Sequence, residues 1–306
     1  APDLDALAGM LSSYPDLRVC FLIDSAAQLE AITQWRMHSP SKADFTVLIE
    51  LGIEGQRTGC RDHAQALDLA RRIKATAHLQ LCGIETYEGA LATCNHAHDE
   101  THVAALMARV QQLAVACEAE DLFEHDEVML TAGGSAIFDL VAKNLKPHLK
   151  RPARGILRSG CYLTHDHVQY RKMLQCVGER LNLRETLKPA LEVIASVQSC
   201  PEPGLALLTM GKRDVSYDLD LPVALWRATL GDAQTRGVPA HWQLTALNDQ
   251  HAYLRYDASA PLNEQPQLGQ LVGCGISHPC TTFDKWRWMA VIEDDGRISG
   301  AISTHF

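Results

Sequence analysis

Apolar positions run along this chain in two different rhythms. In the first half, short β-rich runs at residues 19–24, 45–51, 79–85, 128–132 and 155–158 are separated by longer amphipathic stretches such as 64–73 and 101–117. Asp62 or Gly59 is placed to open the first of these helices. Strand and helix alternating at this length predict βα units and a parallel sheet. Five strands are legible, against the eight of a closed barrel.

From about Leu191 the rhythm changes. Residues 191–200, 205–210, 242–247, 252–256, 270–276 and 288–292 read as strands with little helix between them. Pro201-Glu202-Pro203-Gly204 and Asp294-Asp295-Gly296 punctuate them as turns. The expected fold is therefore α/β: a TIM-type (β/α) barrel, N-terminally incomplete, over residues 1–190, followed by an antiparallel β domain over 191–306.

Composition narrows the class. With 306 residues, 46% hydrophobic and 21% charged, the chain can bury a large core without disulfide staples. A net charge of −9 argues against non-specific binding to nucleic acid. No apolar run approaches the ~18 residues of a membrane span. The start, Ala1-Pro2-Asp3-Leu4-Asp5, lacks the basic and apolar regions of a signal peptide. Of ten cysteines, Cys20, Cys82, Cys161 and Cys274 lie in or beside strand-like runs, where they read as small buried hydrophobes of a reducing, cytoplasmic protein.

Several segments can carry chemistry, and each also has a plain structural reading. Thr131-Ala132-Gly133-Gly134-Ser135 follows an apolar strand and precedes an amphipathic stretch, 136–145. Glycines let a backbone approach an anion, and a helix start offers free N–H groups, so a phosphate fits here; a serine-capped glycine turn fits equally. Arg57, in the loop 50–59 at a strand end, can face a ligand at the barrel mouth or tie the loop to a helix. Tyr162 can stack on a ligand or sit at a domain junction. His278 and Cys280, at i and i+2 on what reads as an extended segment stiffened by Pro279, would face one side as imidazole and thiolate ligands for a catalytic metal. The alternative is a buried cysteine beside a surface histidine. His98 and His102 share a helical spacing, but Asp99 and Glu100 beside them make this stretch a polar helix entry rather than a metal site.

In order along the chain these segments resemble one family. Glu50, Arg57-Thr58-Gly59, residues 83–89 (Gly-Ile-Glu-Thr-Tyr-Glu-Gly), Gly133-Gly134-Ser135, residues 158–162 (Arg-Ser-Gly-Cys-Tyr), residues 211–214 (Gly-Lys-Arg-Asp) and residues 278–286 (His-Pro-Cys-Thr-Thr-Phe-Asp-Lys-Trp) are similar to the D-threonine aldolase and D-serine dehydratase group. Residues 277–287 look most like the D-serine deaminases, also called amino acid deaminases. The resemblance implies an alanine-racemase-like fold with pyridoxal phosphate at the barrel mouth, a D-amino acid substrate and a homodimer. It implies that Gly133, Gly134 and Ser135, with Ser159, Gly160 and Tyr162, hold the cofactor's phosphate, that Arg57 and Tyr87 lie near its ring or the substrate, and that His278 and Cys280 bind a divalent metal, with zinc favoured by the thiolate. The expected reaction is dehydration and deamination of D-serine-like hydroxyamino acids to a 2-oxo acid and ammonia. An aldolase or racemase on the same scaffold, or a lysine-less cofactor-binding protein, are the alternatives.

One departure matters. The family's Schiff-base lysine lies on the first barrel strand, and none of Lys42, Lys74, Lys143, Lys146, Lys150, Lys172, Lys188, Lys212 or Lys285 matches it. Three missing βα units amount to roughly 90 residues at ~30 per unit. The expectation is that the sequence is truncated, or that another polypeptide supplies the lysine-bearing part.

Overall fold

The computed structural model describes residues 2–231 and 234–305. The chain divides into two compact units, residues 1–159 and 160–306.

The first unit opens with α1 (Pro2–Ser13) and then alternates β1 (Cys20–Ile23), α2 (Ala26–His38), β2 (Phe45–Leu51), α3 (His63–Lys74), β3 (Leu79–Thr86), α4 (His96–Ala119), β4 (Val128–Ala132), α5 (Phe138–Ala142) and β5 (Ala153–Leu157). The five strands form one parallel sheet in the order β1-β2-β3-β4-β5. An order that never reverses is that of a barrel wall; a doubly wound sheet switches direction partway. The central strands β2 and β3 are buried almost throughout, as strands covered on both faces must be. Phe45, Val47, Ile49, Leu81, Ile84 and Leu130 pack there with Met107 and Leu113 of α4. Helix starts are capped by the side chains expected for them: Ser25 accepts from the Gln28 amide, Asp62 from Gln65 and Asn95 from His98.

The apolar pattern marks no helix before β1, where α1 lies. Helices α1 and α2 are joined by Trp35, whose indole N–H donates to Asp5 at 2.8 Å while its ring stacks on Phe45. The amphipathic stretch 136–145 is shorter than expected, with only Phe138–Ala142 helical, because the chain turns at Asn144 and Leu145. His98 and His102 stack at 3.9 Å on α4, and buried Asp99 accepts from the Thr93 and Cys94 amides, which makes this segment a helix-entry anchor.

The second unit begins with α6 (Cys161–Thr164) and α7 (Gln169–Leu181). Its strands are β6 (Glu192–Glu202), β7 (Leu205–Leu208), β8 (Val223–Ala228), β9 (Arg236–Gly237), β10 (Gln243–Leu247), β11 (Ala252–Arg255) and β12 (Leu271–Gly275). They make a seven-stranded antiparallel sheet in the order β10-β11-β7-β6-β12-β8-β9. Strand alternation points Val193, Ala195 and Val197 into a core with Leu208, Leu254, Val272 and Ile276. The short helix α8 (Pro279–Phe283) follows β12, and β13 (Trp288–Ile292) pairs with β14 (Ile298–Ser303) as a separate hairpin. Residues 160–190 are tied to the β-rich half through the His167 amide, which donates to the Ile276 carbonyl at 2.9 Å.

Cys82 and Cys274 are buried as expected, but Cys20 and Cys161 are only partly so. No disulfide links any of the ten cysteines. Among the described residues no helix is long and apolar enough to cross a membrane.

Candidate functional site

In the first unit, polar chemistry collects at the C-terminal ends of the strands. Glu50 ends β2, Glu85 and Thr86 end β3, Thr131 ends β4, and Arg158 follows β5. The Arg158 guanidinium pairs with Glu85, donates to the Thr131 hydroxyl at 3.0 Å and reaches the Thr86 carbonyl at 3.2 Å. Burial pulls the Arg158 pKa below its usual value, the Glu50 carboxylate pushes it up, and the like charge of Arg57 adds to the lowering. The second oxygen of Glu85 is buried with no protein partner. Glu50 accepts from the Thr58 hydroxyl at 2.7 Å.

Beside this cluster lies a shallow open cleft, lined by Glu50, Gln56, Arg57, Thr58, Tyr87 and neighbouring backbone. Two residues that sequence placed near a ligand, Arg57 and Tyr87, come together on it. The guanidinium sits 4.5 Å from the ring centroid, a cation–π contact that presents both groups to the opening.

The glycine loop already holds a carboxyl group of the chain. The amides of Gly133 and Gly134 donate to the two oxygens of Glu88, at 3.1 and 2.7 Å. Glu88 is fully buried, and burial raises its pKa against the lowering effect of these hydrogen bonds. A β-carbon on Gly134 would stand 2.7 Å from a Glu88 oxygen and 2.9 Å from the Gly89 α-carbon, so only glycine fits this approach. Ser159 donates its hydroxyl to the Gly134 carbonyl at 3.0 Å and clamps the loop from the other side. Ser135, half-buried, follows directly. Sequence motifs contain Glu85, Glu88 and Arg158 without marking a role for them. The burial of Glu85 and Glu88 is not legible from spacing, because a carboxylate beside glycines reads as an ordinary exposed turn.

In the second unit, His278 is the N-cap of α8 and Cys280 lies in its first turn. The pair therefore does not share an extended segment, as the sequence reading had it: Pro279 at the first helical position starts a helix there. The His278 Nδ1 meets Asp218 at 2.6 Å, and Thr281 donates to the other Asp218 oxygen at 2.9 Å. Burial raises the Asp218 pKa, but the His278 and Thr281 hydrogen bonds outweigh it and the net shift is downward. A carboxylate holding Nδ1 orients the ring and leaves Nε2 for another partner, the arrangement that prepares a metal-ligating imidazole. Asp218 lies far from the motif in sequence, and no periodic signal marks it. The Cys280 thiol is exposed, 3.5 Å from that of Cys161. Among the described residues no three or more His, Cys, Asp or Glu side chains converge. Gly160 and Tyr162 flank Cys161 at the start of this unit.

No lysine among the described residues stands at a C-terminal strand end of the parallel sheet. Lys74 pairs with Glu124, and Lys212 and Lys285 lie over the Tyr217 ring.

Comparison with known proteins gives consistent matches. Residues 7–169, more than half of the chain, match the family model described as "Alanine racemase, N-terminal domain", and residues 190–292 match "Putative serine dehydratase domain". A 3-hydroxy-D-aspartate aldolase from Paracoccus denitrificans (strain Pd 1222) is 24% identical over 229 residues, covering 73% of this chain and 54% of that protein. The chain thus spans about half the length of that curated relative. A D-threonine aldolase from Filomicrobium marinum has a TM-score of 0.71 at 19% identity, over 97% of this chain and 71% of that one. A D-threo-3-hydroxyaspartate dehydratase from Delftia sp. HT23 has a TM-score of 0.68 at 21% identity, over 100% of this chain and 77% of that one. Solved variants of a D-threo-3-hydroxyaspartate dehydratase include a cysteine-to-alanine change in the metal-free form and a histidine-to-alanine change two positions away. At these identities the structural matches show the fold.

Proposed function

This chain belongs to the alanine racemase N-terminal domain family, and from that premise we propose that it carries the binding machinery of a pyridoxal-phosphate-dependent, metal-assisted lyase. The substrates we infer are D-serine-like hydroxyamino acids, converted to a 2-oxo acid and ammonia. The observation that carries this reading is the imidazole of His278, oriented by Asp218, with the soft thiol of Cys280 two residues on.

The chemistry of the residues present supports both groups. Ser135 follows the glycine loop and offers a hydroxyl to a phosphate, and Glu85 offers a buried acceptor oxygen for a donor on a bound ring. Bound pyridoxal phosphate supplies a ring that withdraws electrons from the substrate carbon bearing the amine. The Gly133 and Gly134 amides are engaged by Glu88, so Glu88 shapes the loop and the direct phosphate contacts fall to Ser135 and its neighbours, with Ser159 bracing them. Arg57 and Tyr87 present a cation and an aromatic face at the cleft, suited to a carboxylate and a planar ring. His278 and Cys280 would hold a divalent ion, zinc by the preference of an N,S donor pair, and such an ion assists the departure of a hydroxyl as a Lewis acid. With two protein ligands, water or substrate completes the shell. The Schiff-base lysine is not among the residues of this chain that line the cleft.

An aldolase is the second reading, favoured by the names of two relatives. Product analysis separates them. Pyruvate and ammonia from D-serine, with L-serine untouched, support the deaminase reading; glycine and acetaldehyde from D-threonine support the aldolase. Turnover unchanged in Cys280→Ala removes the metal from either. We assign the working assembly as a cytoplasmic homodimer on the same family premise, tested by light scattering.

A further inference from the structure

Two cysteines touch at the edge of the second unit, and the proposed chemistry uses only one of them. Cys161, the first residue of α6, has its sulfur 3.5 Å from that of Cys280 in the first turn of α8. Cys161 is half-buried and Cys280 exposed, so an oxidant in solution reaches the pair. Another close pair, Cys20 and Cys82 at 3.6 Å, differs in this respect, because Cys82 is buried within the sheet.

We propose that Cys161 and Cys280 close a reversible disulfide, with Cys161 as the resolving thiol, and that closure withdraws the Cys280 sulfur from metal binding. The second half rests on the reading of Cys280 as a metal ligand given above.

The thiols are already in contact, so a bond of about 2.05 Å needs an approach of roughly 1.5 Å. Each of the two short helices that carry them is tied to chain outside it. The Ala190 amide donates to the Thr164 carbonyl at the end of α6, and on α8 the Thr282 hydroxyl accepts from the Ser216 amide. The thiols are thus held side by side although 119 positions separate them in sequence.

The oxidant is a low-molecular-weight disulfide. The Cys280 thiolate attacks one of its sulfurs, a mixed disulfide forms, and one small thiolate leaves. The Cys161 thiolate then attacks the Cys280 sulfur, the protein disulfide forms and the second small thiolate leaves. Two protein thiols lose two electrons, the small disulfide gains them, and the two thiol protons end on the released thiols. Zinc binds a thiolate, and a disulfide sulfur carries no such charge. Metal and disulfide therefore exclude one another, and zinc should slow the oxidation.

The test exposes the purified chain to oxidised glutathione, with and without zinc, then alkylates it and maps the peptides without reduction. The expected result is a peptide linked through Cys161 and Cys280, slower to form with zinc present and lost on adding dithiothreitol. In Cys161→Ala the reaction should stop at a glutathione adduct on Cys280. Both thiols recovered alkylated from the unaltered chain overturn the disulfide. Zinc binding is measured separately by competition with a chromophoric chelator. Binding by the reduced chain, lost on oxidation and regained on reduction, supports the switch. A linked chain that still holds zinc overturns it directly, whereas a reduced chain that never binds zinc overturns it through its premise.

Discussion

In the first unit the polar groups of the site are built into the core. Glu85 is 2% exposed and Glu88 is 0% exposed, and each is held by a neighbouring strand end or glycine loop. In the second unit Asp218 and Cys280 are exposed, and His278 is half-buried, on a loop and a short helix. A group buried at a strand end cannot be changed without disturbing the sheet that presents it. A group on a surface turn can be changed at the expense of binding alone. The two halves therefore separate stability from ligand chemistry, and this contrast can be broken experimentally.

Arg158→Ala should have the largest effect. It strips the partner from a buried carboxylate; because the Arg158 side chain is itself 40% exposed, the cost should lie near the low end for buried pairs, about 3 kcal/mol, read as a lowered urea midpoint. Adding Glu85→Gln to that variant should recover part of the loss by removing the unpaired charge. No recovery would mean that Glu85 is not the group left exposed to the penalty. Gly134→Ala should follow at about 1–3 kcal/mol, since the new methyl meets both Glu88 and the Gly89 backbone.

In the second unit, Asp218→Asn should leave the urea midpoint within about 0.5 kcal/mol while weakening zinc binding roughly 10–100-fold, because the partner of His278 Nδ1 changes character. Unfolding by Asp218→Asn would erase the contrast between the units. A smaller effect should appear with pH. Burial, reinforced by His165 and Arg171, holds His167 at about 4 against an ordinary 6.5. The unfolded chain then takes up a proton that the folded chain refuses, so the contribution of His167 is complete above about pH 6.5 and is lost as pH falls toward 4. His167→Gln should flatten the pH dependence in that window.

Much of this was legible in the sequence. β2, β4 and β13 fall where the apolar runs place them, and the five parallel strands and the following antiparallel sheet match the change of rhythm near Leu191. Gly133, Gly134, His278 and Cys280 could be singled out because glycine pairs and mixed N,S donors are rare local patterns with direct chemical meaning. What escaped depends on contacts across the chain. Glu88 meets the glycine cradle only once β3 and β4 are adjacent, and Asp218 reaches His278 across 60 positions. Helix α2 is implied by the strand–helix alternation but not delimited, because its apolar residues Leu29, Ile32 and Trp35 sit among polar neighbours and its periodicity is weak. The HxC pair was placed on a strand because Pro279 was read as a stiffener of extended chain, whereas it serves as the first residue of a helix.

The strand order of the two sheets also bears on how quickly each forms. In the parallel sheet every strand pairs with its immediate successor, one βα unit away. In the antiparallel sheet β6 pairs with β12, matching Val193 to Cys274, and so waits for some eighty residues of chain to return. Because closing a long loop precedes any gain from the contact it makes, folding slows as partners grow distant in sequence. Within the antiparallel sheet, the β6–β7 and β10–β11 hairpins can therefore close locally, whereas the β6–β12 seam that leads to His278 and Cys280 waits for a long loop to close.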